Sequence, residues 1–403
     1  MAYPRVMDAF RAWADVDLDG LDQNLAAIRA AIGDEVVLML VVKADAYGHG
    51  AVAVAHRAAR AGVGAFGVGT ASEALELRRA GICEPILVLG TIVDEEVTAC
   101  LHHDIHIGVH STSRARALQR MASAQGRQAM VHLNVDTGMG RLGVLPERAL
   151  ELLEEIRLAD HLTLAGVMTH ISSPSGAARD GICEQTARFE AVLDDARARD
   201  LLGGWVHMSN SAGLFSGTSP LYDAVRVGIS AYGVAPAEAA WGEDLVAVMS
   251  LRTRIVFLKD LPAGSTVGYD STYHLDEQRR IATLPVGYND GVPWRLSNRG
   301  EVLVRGRRAP IVGRVSMDYT TIDVTDIPGV AVDDVVTIIG SDGDERILLR
   351  EVAAAAETIP YEVACSIGKR VARLFRAAST THAAAIQPAP PAAVAGPTAG
   401  PLD

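Results

Sequence analysis

The stretch VVLMLVVKADAYGHG, Val36 to Gly50, runs seven apolar residues without interruption and then stops on a lysine. A non-alternating run of that kind suits a strand covered on both faces. Lysine is rarely buried, and an unpaired ammonium loses a great deal when it leaves water. Either Lys43 marks the strand's exit into solvent, or its amine is kept uncharged for chemistry. The sequence on both sides of it bears on the choice.

Upstream, Leu21, Leu25, Ile28 and Ile32 recur at helical spacing, with Asp19 as the expected N-cap and Gly33 as the stop. Downstream, similar apolar runs follow at Ala65–Thr70, Pro85–Gly90, Ile105–His110, Ala129–Asp136, Thr163–His170, Trp205–Asn210 and Ala224–Ile229. Helical patterns such as Ala71–Ala80 and Pro146–Leu158 lie between them. Eight strand–helix units in about 230 residues are what a (β/α)8 barrel requires. Counting strands does not prove closure, so a doubly wound open sheet is the alternative. After Pro236 the character changes. MSLRTRIVFLKDL, STVGYDSTY, RIATLPVGY, EVLVRG, APIVGRV, TTIDV and DVVTIIG are short runs broken by Gly, Pro and Asp, followed by one helix-like segment, Ile347–Thr358. The expected organisation is an N-terminal extension over 1–13 packing on the β domain, a barrel over 14–240, a mainly-β domain over 241–380, and a disordered Ala/Pro/Gly-rich tail over 381–403.

Composition narrows the function. The chain has 403 residues and a formal net charge of -12, which argues against nucleic acid or an anionic membrane as partner. Cys83, Cys100, Cys183 and Cys365 are far apart and form no C-x-x-C pair, so neither a disulfide framework nor a metal site is read. No signal peptide and no membrane-spanning run is apparent, and the expected compartment is the cytoplasm.

Barrel active sites form at the C-terminal ends of the strands. There the first run ends on Lys43, the sixth on His170, and the seventh enters Ser209-Asn210-Ser211-Ala212-Gly213. The eighth carries Arg226 and leaves through Gly228, and the fifth opens into the Gly-rich loop Asp136–Arg141. Loops after the last two strands of a barrel often hold a phosphate, using backbone N–H groups and a hydroxyl. Ser211 supplies a hydroxyl, and Gly228 lets the backbone come close. A phosphate site facing a strand-end lysine points to pyridoxal phosphate, which is held by an imine to lysine and by contacts to its phosphate and ring nitrogen. That lysine must be neutral to attack an aldehyde, and desolvation lowers its pKa.

The motifs AWADVDLDGLDQNL, VVKADAYGHG, DTGMGRLG, HMSNSAG, AVRVGISAYG, VGYDSTY, LPVGYNDG, GRVSMD and IPYEVAC together resemble the alanine racemase family, from about Ala12 to Phe375. VVKADAYGHG and DTGMGRLG in that order are the most specific. The resemblance implies a pyridoxal-phosphate enzyme that interconverts the two alanine enantiomers and supplies D-alanine for peptidoglycan. It implies a homodimer with shared active sites. It makes Lys43 the imine-forming lysine and one of two bases, with the partner subunit's Tyr269 as the other. Tyr47, Asn210, Ser211, Gly228, Ile229 and Tyr361 resemble cofactor contacts, most of them around the phosphate. Arg226 resembles the residue facing the ring nitrogen, and His170 the bridge between Arg226 and the catalytic tyrosine. Arg141, Met317 and Tyr288 resemble substrate contacts, with Arg141 also near the cofactor.

Two positions depart from the family's pattern. Asn134 stands where many members have a lysine, in some of them carbamylated, which leaves room for a bound anion beside Arg141. Ser316 stands where some members have cysteine. A racemase for serine or a broader amino-acid range, and a non-catalytic pyridoxal-phosphate-binding barrel, are the alternative readings.

Overall fold

The computed structural model describes residues 10–172, 179–235 and 245–377. Strand β1 (Ala12–Asp17) opens the chain, and the next eight strands close into a parallel barrel. These are β2 (Val37–Val41), β3 (Ala65–Val68), β4 (Ile86–Val88), β5 (Ile105–Val109), β6 (Ala129–Asn134), β7 (Leu162–Met168), β8 (Trp205–Asn210) and β9 (Ala224–Val227). The barrel closes where β2 pairs with β9, Met39 opposite Arg226. An open sheet is therefore excluded. Each of the eight barrel runs becomes one strand, shortened at its ends where the chain leaves the ladder, whereas MSLRTRIVFLKDL and STVGYDSTY in the second half each split into two.

The unbroken apolar runs reflect burial on two sides. Along β2, Leu38 and Leu40 pack into the core beneath the helices, whereas Met39 joins Ala65, Leu87 and Met168 in a separate cluster. Successive side chains alternate between faces, so a strand needs apolar residues at every position only when both faces are covered. The helix Leu18–Ile32 shows the complementary spacing, burying Leu21, Leu25, Ile28 and Ile32. Its N-cap is Asp17 and not Asp19. Asp17 has extended backbone at the exit of β1, and its carboxylate accepts from the N–H groups of Asp19 and Gly20. Asp19 lies inside the first turn and pairs with Arg57 at 2.6 Å.

The second half builds a sheet of seven strands around β10 (Met249–Arg254) and the strand Val335–Asp342. The N-terminus takes part in it. β1 pairs antiparallel with β10 and parallel with the strand Ala372–Arg376, so residues from both ends of the described chain lie side by side. Asp15 of β1 is buried between Arg252 at 3.1 Å and Arg376 at 2.6 Å. The expected boundary between residues 13 and 14 thus falls inside a strand of the β domain's sheet. The boundary at 240, the tail over 381–403 and most of the 1–13 extension lie outside the described residues. Helix formation near the C-terminus also differs from expectation. The segment breaks at Glu357, whose φ is 54°, giving Leu349–Ala355 and a second helix, Pro360–Cys365, with proline at its first position. Among the described residues no helix is long and apolar enough to cross a membrane.

Asp17→Ala removes the only side chain capping the first helix and is expected to lower stability by about 1 kcal/mol, measured by urea unfolding.

Candidate active site

β2 ends at Val41, and the chain turns sharply after Lys43. Ala44, Asp45, Ala46 and Tyr47 all have φ between 52° and 54°, a left-handed turn of non-glycine residues. Such backbone costs about 1–2 kcal/mol per residue, so surrounding contacts must hold it. Glu73 Oε1 accepts from Ala44 N at 2.7 Å, and Oε2 accepts from Gly69 N at 2.7 Å and Thr70 N at 3.2 Å. Asp45 Oδ1 accepts from Ala51 N at 2.7 Å. His49 Nδ1 faces the carbonyls of Ala46 and Tyr47, both at 2.9 Å. Carbonyls only accept, so that nitrogen carries the hydrogen. The β domain closes the far side: Arg373 Nε donates to Gly48 O at 3.1 Å, and a Cβ on Gly48 would lie 2.4 Å from Ala364 O.

Lys43 stands exposed at the barrel mouth in the single chain, with protein crowding it on its other sides. That crowding lowers its pKa below the usual lysine range, and the positive charge of Arg141 lowers it further. Solvent at the mouth offsets part of the desolvation. The direction is the one an amine needs to attack a carbonyl near neutrality.

Across the mouth, Arg226 is 3 % exposed. Its Nη1 donates to His207 Nδ1 at 2.8 Å. Its Nη2 reaches Thr169 O at 2.8 Å, Met208 O at 3.0 Å and His170 Nδ1 at 3.3 Å. Burial brings the guanidinium pKa down to about 10, so it remains a cation at neutral pH. His170 falls to about 3 through burial and then the charges of Arg226, Arg141 and Lys43. The positive charge beside this imidazole therefore belongs to Arg226, and His170 is neutral.

A cradle of backbone N–H groups and hydroxyls forms where β8 and β9 end. Ser211 Oγ accepts from Gly228 N at 3.1 Å and lies 3.5 Å from Ser230 N. A Cβ on Gly228 would sit 2.6 Å from Tyr47 Oη, which is why only glycine fits there. The rings of Tyr47 and Tyr361 meet edge to face at 5.8 Å, and neither hydroxyl has a hydrogen-bond partner among the described residues. Ser230 Oγ is buried and likewise unpartnered. Ile229 is buried beside them. Asn210 spends its side-chain oxygen on Gly213 N, fixing the short helix that begins at Ser211.

The loop carrying Arg141 is folded around Asp136, whose carboxylate accepts from the N–H groups of Gly138, Met139 and Gly140. Asn134 Nδ2 fastens the same loop by donating to Leu142 O at 3.2 Å. Arg141 itself is exposed and makes no hydrogen bond or ion pair to the described residues.

Tyr269, Tyr288 and Met317 lie on the β domain with exposures of 71 %, 44 % and 53 %. Among the described residues no hydrogen bond, ion pair or ring contact joins their side chains to Lys43, Arg141, His170 or Arg226. Ser316 closes a turn there, donating to Tyr319 O at 2.9 Å. The structure thus unites Lys43, Tyr47, His170, Asn210, Ser211, Arg226, Gly228, Ile229 and Tyr361 around one mouth and leaves the three β-domain residues on an outer face.

Sequence reasoning missed Glu73, Ser230, His49 and His207. Only Glu73 carried a readable signal, as the fourth residue of a Thr70-Ala71-Ser72-Glu73 capping box. The others follow from packing alone. The unpartnered Tyr47, Tyr361 and Ser230 hydroxyls, the Gly228 cradle and the spare donors of Arg226 fit the phosphate and ring nitrogen of pyridoxal phosphate, and Lys43 fits its aldehyde.

A closed barrel with this lysine, this cradle and an attached β domain defines an enzyme of the class that anchors an aldehyde cofactor on a strand-end lysine. Family profiles cover both halves: "Alanine racemase, N-terminal domain" matches residues 16–236, and "Alanine racemase, C-terminal domain" matches residues 248–375. The chain belongs to the alanine racemase family. It is 41 % identical to the alanine racemase of Symbiobacterium thermophilum over 371 residues, 92 % of this chain and 98 % of that one. The solved alanine racemase of Clostridium difficile superposes with a TM-score of 0.87 at 30 % identity, covering 91 % of this chain and 96 % of the other. That of Bartonella henselae, solved with covalently bound pyridoxal phosphate, superposes at 0.82 with 28 % identity, covering 91 % and 99 %.

Glu73→Gln places an amide where a carboxylate takes three backbone N–H groups. Loosening of the lysine turn is expected to lower turnover by about tenfold or more, measured as kcat against KM. Arg141→Gln removes the second cause of the depressed Lys43 pKa. In the cofactor-free chain the pH midpoint for modification of Lys43 by an amine-directed reagent is expected to rise, and an unchanged or lower midpoint contradicts the assignment.

Proposed function

We propose that the chain interconverts L-alanine and D-alanine as a homodimer, each active site combining one barrel mouth with the partner's β domain. The carrying observation is the amine of Lys43, its pKa lowered, in one mouth with Arg226, His170 and the Ser211–Gly228 cradle. Bound pyridoxal phosphate supplies the aldehyde that takes the substrate's amino group and the ring that accepts electron density as the α-proton leaves. Lys43 Nζ holds and returns that proton on one face of the α-carbon. The partner subunit's Tyr269 does so on the other.

A phenol has a pKa of about 10 and needs nearby positive charge to work near neutrality. Arg226 supplies it through His170, a neutral imidazole whose Nδ1 faces the guanidinium. Arg226 also donates toward the ring nitrogen without releasing a proton, since an arginine is no acid at ordinary pH. With Arg226 giving no proton to the ring nitrogen, the ring would be a weaker electron acceptor, which would favour return of the proton to the α-carbon. The substrate carboxylate is taken by Arg141 and by the N–H of the partner subunit's Met317, which has no partner among the described residues. Four unpaired cysteines fit the reducing cytoplasm, where D-alanine would be made for peptidoglycan.

Support for the shared site comes from exposure. Tyr269 and Met317 protrude into solvent although they carry the family's motifs, and the mouth of Lys43 is open. Borohydride reduction of the holoenzyme followed by peptide mapping is expected to fix the cofactor on Lys43. Incubation with L-alanine in deuterated water is expected to give α-deuterated D-alanine, and L-serine run in parallel measures substrate breadth. Cofactor absorbance without α-exchange of any amino acid would favour a binding protein. Lys43→Ala and Tyr269→Phe are each expected to be inactive. Their mixture, after subunit exchange, is expected to regain about one quarter of wild-type activity, because one site in each heterodimer is intact. No recovery in verified heterodimers rules out sharing.

A further inference from the structure

Barrel interiors are usually packed with branched apolar side chains. Here a column of polar groups runs through the interior instead. His106 Nδ1 lies 3.0 Å from His132 Nε2, and His132 Nδ1 lies 2.9 Å from His207 Nε2. His207 Nδ1 meets Arg226 Nη1 at 2.8 Å. His132 and His207 are fully buried, and His106, the second residue of β5, is partly exposed. The column begins near the N-terminal end of the barrel and ends at the mouth. The proposed reaction gives work only to its last member, Arg226.

The backbone is built around these rings. The β6–β7 pairing slips register between Val131 and His132, and the β8–β9 pairing slips between His207 and Asn210. Such irregularities re-aim side chains. Opposite His132 stands Gly166, where a Cβ would lie 2.5 Å from His132 Nδ1. Any larger residue at that position would evict the ring.

Hydrogen-bond chemistry then fixes every proton. A guanidinium only donates, so His207 Nδ1 must accept, and the neutral ring carries its hydrogen on Nε2. That N–H donates to His132 Nδ1, placing the hydrogen of His132 on Nε2. The same step repeats at His106. Burial keeps the rings neutral: His132 and His207 are held well below the ordinary histidine range and His106 at about 4, each chiefly by desolvation. Arg226 has no carboxylate among its hydrogen-bond partners, although a buried cation normally has one.

We propose that His207, His132 and His106 form a one-way imidazole chain, all in the Nε2–H form, that stands in for a counter-ion and positions Arg226. Each N–H points away from the guanidinium, so the chain's dipoles add and solvate the cation without neutralising it. A carboxylate in the same place would cancel the charge that Arg226 presents at the mouth. The tautomer assignment follows from the structure alone. The positioning role rests on the proposed function, because it concerns the group opposite Arg226.

Neutron diffraction from deuterium-exchanged crystals of the holoenzyme at neutral pH tests the first part. Deuterium on Nε2 and none on Nδ1 is expected at all three histidines, and deuterium on any of the three Nδ1 atoms overturns the chain. The second part is tested at the far end with His106→Leu and His106→Gln, since this residue is partly exposed and has no hydrogen bond to Arg226. Leucine removes the acceptor for His132, whereas the glutamine oxygen replaces it. In the His106→Leu holoenzyme the ratio of abortive transamination of alanine, read as pyruvate release, to racemisation is expected to rise about fivefold. His106→Gln is expected to stay within about twofold of wild type. Equal losses of thermal stability in both variants with an unchanged ratio overturn the positioning role. Failure of the wild-type holoenzyme to racemise any amino acid removes the proposed function while leaving the neutron result to decide the tautomers.

Discussion

The left-handed turn from Ala44 to Tyr47 is the constraint on which the molecule depends. Four L-residues do not adopt that backbone unaided, and its supports come from both halves of the chain. Glu73 holds it from the barrel, while Ala364, Arg373 and Phe375 close on Gly48 and Gly50 from the β domain. The turn places Lys43 at the mouth and Tyr47 against the cradle, where Tyr361 of the β domain meets it. The β domain is thus a structural part of its own chain's site, whatever it also lends to a partner.

Charge at the mouth is mainly positive. Lys43, Arg141 and Arg226 gather there with a neutral His170, in a chain whose formal net charge is -12. The one carboxylate beside the lysine, Glu73, is committed to three backbone N–H groups. A site of this kind draws in anions, and both a phosphorylated cofactor and an amino-acid carboxylate are anionic. The amine's shift is downward because desolvation and then the charge of Arg141 outweigh the opposing influence of Cys365 and Glu73.

Much of this is legible in the sequence. The eight apolar runs mark the barrel because strands covered on both faces need apolar residues at every position; Lys43 and His170 stand at the ends of their runs, and Arg226 breaks the apolar pattern inside the eighth. Ser211 and Gly228 were legible through the chemistry of anion binding. What escaped depends on packing between distant segments. Glu73 reads as an ordinary capping residue, and nothing in AMVHLN or HMSN shows that His132 and His207 touch through a gap left by Gly166. The first helix is legible, but Asp19 reads as its cap two residues too late, since Asp17 and Asp19 are the same residue type and differ in backbone conformation. β1 was assigned to an extension and the barrel because its partners arise more than two hundred residues later.

That late pairing bears on how the protein is made. On the ribosome, at about 5–20 residues per second, β1 leaves the exit tunnel on the order of ten or more seconds before β10 and longer still before Ala372–Arg376. Both of its edges stay bare while the barrel assembles next to it, and Ala12, Trp13, Ala14 and Val16 are apolar. The nascent chain therefore carries an adhesive segment until β10 and then Ala372–Arg376 emerge to cover its two edges.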